Sequence, residues 1–202
     1  MADLLSHQRL VFNQKVKIIE MNIDFAIRDT DGNEVGRIWQ EGQSKLKKFA
    51  RLVSSLDQFM THTLAVYDTG GSKVIELTRP AKILKSTVVV KDGAGGEVGR
   101  IVQQNVIGKI RFGLQGPTGE ELGSLNAENW RAWNFSIQDT AGAEVARITK
   151  TWEGLAKTMF TTADNYLLEV SGNDLSYPMR KLILAAAVGV DLALKQDSRG
   201  LG

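Results

Sequence analysis

Cysteine is absent from the 202 residues. That single absence removes a disulfide framework, a thiolate zinc site, a cysteine nucleophile and any palmitoyl anchor. Proline is scarce, at 3 residues, whereas glycine is plentiful, at 20; this balance suits many tight turns between strands. Neither sign of charge is in surplus: 25 Lys and Arg face 23 Asp and Glu, a net charge of +2, which is too small to argue for nucleic acid as a partner. With 43% hydrophobic and 24% charged residues, the chain is globular in composition and long enough to bury a core without a metal or disulfide staple.

Long apolar runs are missing too. Met1 to Arg9 has no basic stretch followed by an apolar one, so it does not read as a secretory signal. A cytoplasmic protein, at most peripheral to a membrane, is expected. The most apolar segment, Leu182 to Val190, is shorter than the roughly 20 residues of a membrane span, and widening it takes in Arg180, Lys181 and Asp191. A helix buried inside a soluble domain is the stronger reading. Signatures of catalysis are absent as well: there is no HExxH, GxSxG, Walker loop or GxGxxG, and His7 and His62 have no acid and nucleophile patterned around them. An enzyme is not expected.

What is present is a repeat. Phe25 to Ile38 is echoed by Val88 to Ile101, and Leu64 to Leu77 and Phe135 to Ile148 fit the same register, each with a glycine three residues after an aspartate. Asp bonds its own turn backbone and Gly accepts a positive φ, so each copy reads as a β-hairpin. A fifth, looser copy, Phe112 to Leu125, is aligned with Gln115 in place of the aspartate and one extra loop residue. Five hairpins, an opening strand near Leu10 to Phe12 and a closing one at Tyr166 to Val170 predict a mainly β fold, a closed barrel of about twelve strands. Between the first two copies, Leu46, Phe49, Val53, Leu56 and Met60 recur at helical spacing, predicting an amphipathic helix over Ser44 to Met60. After Pro178 the chain is apolar on every side, so a central helix of about 178–196 must be surrounded, and a barrel can surround it. Pro178 suits the first helical turn and Ser176 a cap. The whole chain, 1–202, is read as one such domain.

Ala143 to Leu155, Phe160 to Tyr166, Arg79-Pro80, Val98 to Gln103 and Leu10 to Lys15, together with the apolar C-terminal helix, resemble the phospholipid scramblase family over nearly the whole chain. That family is similar to the tubby C-terminal and LURP-one-related proteins. The resemblance implies a twelve-stranded barrel threaded by its C-terminal helix, and calcium-triggered movement of phospholipids between leaflets. Where the family's eukaryotic members have a proline-rich leader, a cysteine cluster and an acid opening the calcium loop, this chain has no such leader, Ala81 to Lys85, and Thr162. It therefore reads as a trimmed, bacterial member.

Several residues are candidates for a site, each with a plainer reading beside it. Asp164 and Asn165 match the family's calcium loop, and Asn173 and Asp174 follow nearby. Calcium wants six to eight oxygens, so weak Ca2+ binding competes with a merely structural turn, which is favoured. Lys45, Lys47, Lys48 and Arg51 would give the amphipathic helix a basic face for anionic membranes, or a solvated outer surface. Arg37, Arg100 and Arg147 occupy equivalent repeat positions and could together hold a phosphate, or pair with acidic neighbours on the strands. Asp191 would emerge at the barrel mouth and pair with a base, and Trp39, Trp130, Trp133 and Trp152 read as core or rim packing. The function expected is binding of phospholipid or phosphoinositide headgroups at a membrane surface; the alternative is a protein-interaction module without lipid affinity.

Overall fold

The computed structural model describes residues 3–13, 24–40, 62–80, 86–105, 108–128, 134–150, 165–172 and 174–197, with backbone alone at 13, 24, 40, 62, 150, 165 and 190–197. After a 3-10 turn, Leu4–Ser6, come twelve strands: β1 (Arg9–Asn13), β2 (Asp24–Arg28), β3 (Glu34–Gln40), β4 (His62–Asp68), β5 (Lys73–Arg79), β6 (Thr87–Asp92), β7 (Glu97–Gln103), β8 (Arg111–Gln115), β9 (Glu121–Ala127), β10 (Phe135–Asp139), β11 (Glu144–Lys150) and β12 (Asn165–Val170). Helix α1 (Tyr177–Asp197) follows. Each strand pairs antiparallel with its neighbours in sequence, and β1 pairs with β12, so the sheet closes into a barrel. The amphipathic helix expected over 44–60 lies outside the described residues.

The turns form as their chemistry dictates. In the β6–β7 hairpin the Asp92 amide donates to Gly96 O at 2.8 Å, Gly95 donates back to Asp92 O, and the Asp92 carboxylate accepts from the amides of Ala94 and Gly96. Gly95 has φ +92°, which a side chain would oppose. Asp29, Asp68 and Asp139 repeat the arrangement. The β8–β9 turn corrects the alignment above: Gly116, not Gln115, donates to Glu120 O and accepts from Gly119. It therefore occupies the aspartate position in a loop of the same length. The capping carboxylate comes instead from Glu120, which accepts from the Thr118 amide and hydroxyl.

Every hairpin also carries one extra residue at the same place. Val90 faces Gly99 but Lys91 faces Glu97, leaving Val98 as a bulge, and Val35, Val74, Leu122 and Val145 occupy the corresponding positions. A regular strand sends residues i and i+3 to opposite faces; the bulge cancels one step of that alternation. In β7, Glu97 and Arg100 are accordingly both exposed while Val98 and Ile101 are both buried.

Inside the barrel sits α1. Residues Lys181 to Gly189 are buried without interruption, and Leu182 to Val188 join the inward side chains of all twelve strands in one apolar cluster. Burial around the whole circumference of a helix requires walls on every side, and twelve strands enclose more width than side chains alone would fill. Each buried Leu or Ile contributes about 1.5–3 kcal/mol. The helix enters where the hairpin turns are: Ser176 Oγ accepts from the Met179 amide at 3.4 Å, and Arg180 reaches the Leu5 carbonyl at 3.3 Å.

The two ends of the barrel differ. One, the turn end, holds the five hairpin turns, the 3-10 turn and the link from β12 into α1. The other, the loop end, is where the longer connections 14–23, 41–61, 80–86, 104–110, 128–134 and 151–164 leave and return.

Candidate functional site

The three equivalent arginines stand on β3, β7 and β11, which are four strands apart around a ring of twelve. The structure thus spaces them at thirds of the circumference and does not bring them together on one anion. Each holds a glutamate three residues earlier on its own strand. Arg37 donates to Glu34 at 2.9 and 3.2 Å and Arg100 to Glu97 at 2.7 Å. Arg147 makes a two-pronged contact to Glu144 at 2.6 and 2.8 Å and also reaches Glu128. The bulge makes these contacts possible by turning both partners outward. In the β4–β5 hairpin the same two places carry the opposite signs, Lys73 and Glu76, 2.9 Å apart. Arg147 and the Ser136 hydroxyl, which donates at 2.5 Å, hold the Glu144 carboxyl below the usual carboxylate range.

The calcium candidates separate. Asn165 opens β12 at the loop end, whereas Asp174 is exposed in the link beyond its other end. A six-residue strand covers about 17 Å, while a calcium ion gathers its ligands at about 2.3–2.6 Å, so one ion cannot take ligands from both. Asp164 and Asn173 lie outside the described residues. Among the described residues, no three Asp, Glu or His side chains gather where a metal could sit.

Lys45, Lys47, Lys48 and Arg51 also lie outside the described residues, as do Trp130, Trp133, Trp152 and the side chain of Asp191. Their connection, 41–61, departs from β3 and rejoins at β4, which fixes its two ends at the loop end. There the fourth tryptophan, Trp39, is 41% exposed. It borders an outer cleft of roughly 450 Å³ together with Arg37, Tyr67 and Asp68.

Two cations escaped sequence reasoning. Lys109 and Arg111, exposed at the loop end, are held in place from behind: the Arg111 amide donates to Asn105 Oδ1 at 2.8 Å, and Asn105 Nδ2 donates to Lys109 O at 2.6 Å. Neither makes an ion pair among the described residues, unlike Arg9, Arg37, Arg100 and Arg147. The signal was available in part, because Gly108 stands three residues before Arg111, where the repeat arginines have a glutamate.

A family model described as Scramblase matches residues 2–194. The chain belongs to the scramblase family. A curated relative in Saccharomyces cerevisiae, altered inheritance rate of mitochondria protein 25, is 23% identical over 233 residues, covering 90% of this chain and 70% of the relative. No solved structure matches significantly. Membership is consistent with a lipid-related role for this scramblase-family barrel. Among the described residues no helix is long and apolar enough to cross a membrane.

Proposed function

We propose that the protein binds anionic phospholipid or phosphoinositide headgroups at a membrane surface, as a cytoplasmic, peripheral barrel and not an enzyme. Family membership over residues 2–194 is the observation that carries this reading. Basic side chains supply the attraction, each contributing about 1 kcal/mol near an anionic surface. Passage of lipid through the barrel forms no part of it: Leu182 to Val188 of α1 fill the interior, so a headgroup has no way through unless the helix leaves. Calcium forms no part of this reading: of its four candidate ligands, the two among the described residues, Asn165 and Asp174, stand at opposite ends of β12.

Co-sedimentation with vesicles tests the reading, using phosphatidylcholine alone and phosphatidylcholine with phosphatidylserine or a phosphoinositide, at two salt concentrations, with and without calcium. Binding to the anionic vesicles that weakens in high salt is expected. Absence of binding in every condition would overturn it and leave a protein-interaction module, for which the cleft beside Trp39 offers an exposed concave surface.

A further inference from the structure

The connections anchored at the two ends of the barrel differ in charge. Counted from the residue that opens it (29–33, 68–72, 92–96, 116–120 and 139–143), each of the five hairpin turns carries at least one acid, as does the link from β12 into α1, and none contains a lysine or arginine. In four of the five turns the acid is the aspartate whose carboxylate caps the turn amides, so the chemistry that folds the turns also makes that end negative. The six connections that leave and rejoin strands at the loop end hold in their sequence eleven Lys and Arg against six Asp and Glu, of which Lys109 and Glu128 are among the described residues. A net charge of +2 conceals this separation.

Two described features sharpen the contrast at the loop end. Lys109 and Arg111 are exposed, braced by Asn105 and free of ion pairs among the described residues. On the wall five strands away, Trp39 exposes its ring one residue before β3 ends. Exposed cations and an exposed tryptophan at the same end of the barrel match an interface where phosphates meet acyl chains. Among the described residues, the other large exposed apolar side chain, Tyr177, stands at the turn end with its ring 4.2 Å from Lys181 Nζ.

We propose that the loop end is the face that docks on an anionic bilayer, with Lys109, Arg111 and Trp39 at the contact and the acidic turn end facing away. The assignment rests on the lipid-binding reading above and adds an orientation to it. Because Trp39 and Arg111 belong to nearly opposite walls, both touch the bilayer only if the barrel stands on its end.

Vesicle co-sedimentation of four proteins decides it: the parent, Lys109→Glu/Arg111→Glu, Trp39→Ala, and Lys91→Glu, which changes charge beside the β6–β7 turn at the opposite end. Circular dichroism checks that each is folded, and Lys109→Gln/Arg111→Gln replaces the reversal if that variant is not. At about fivefold in affinity per basic residue removed, the double reversal is expected to bind phosphatidylserine vesicles more than tenfold more weakly. Trp39→Ala should bind severalfold more weakly, and Lys91→Glu within twofold of the parent. If the parent binds these vesicles and Lys109→Glu/Arg111→Glu binds equally well, or Lys91→Glu loses as much, the orientation is wrong and the lipid reading stands. A parent that binds no vesicle overturns the lipid reading and the orientation with it.

Discussion

Glu144 shows what a single side chain does on this barrel. Its carboxyl is drawn below the usual carboxylate range first by the Arg147 guanidinium, against an opposing effect of burial, with the Ser136 hydroxyl adding a smaller pull in the same direction as Arg147. A carboxyl with a depressed folded pKa stabilises the fold fully above its unfolded value of about 4.3 and loses that contribution as pH falls through the lower folded value. Urea unfolding followed from pH 6 to pH 3 should therefore lose stability faster in the parent than in Glu144→Gln. Since both side chains are about a third exposed, the difference is expected to stay under about 1 kcal/mol, and identical pH slopes would contradict the assignment. The sequence showed Arg147 and Glu144 but hid their contact. Three residues apart on a strand normally means opposite faces, and nothing in Glu-Val-Ala-Arg announces that Val145 is a bulge. Gly116 was hidden for a related reason, since Gln115 offers a side chain that resembles an aspartate in the alignment whereas the backbone alone decides which residue opens the turn.

At the level of elements, the hairpins and the helix were legible because each depends on local chemistry. Asp and Gly at fixed offsets specify the turns, and Leu182 to Val190 has no polar face to offer solvent. The close fit between α1 and the wall was not legible, because it depends on distances between segments far apart in sequence. Gly189 illustrates it: among the described residues, a methyl group added there would meet only Leu77 Cδ2, at 3.9 Å, an ordinary contact. Gly189→Ala should then gain helix propensity without strain and raise stability by up to about 1 kcal/mol, seen as a higher thermal midpoint. A lowered midpoint would show that α1 packs more tightly on β5 than this separation allows. Position 99 behaves oppositely, since a Cβ at Gly99 would collide with the Gln115 carbonyl on β8.

For the whole molecule the decisive contact is between β1 and β12, which pair along Arg9↔Glu169 to Asn13↔Asn165. Strand counting made a closed barrel readable, but the separation of charge between its ends follows from which connections share an end, and that is a property of topology. Removing residues 1–13 would leave β2 and β12 with open edges and uncover part of the core that Leu4, Leu10 and Phe12 seal. The shortened chain is expected to lose cooperative unfolding and to bind a hydrophobic dye; a cooperative transition at the parent's midpoint would refute the closing role of β1. The same closure dictates an order of events during synthesis. Hairpins such as β6–β7 can form within microseconds of leaving the ribosome, yet β1 must wait for β12, and the interior stays empty until α1 follows all twelve strands. The nascent chain therefore spends most of its synthesis as a sheet with two bare edges and an unfilled apolar lining, the kind of surface that chaperones hold. The part of the chain that fills the core is made after the wall that encloses it.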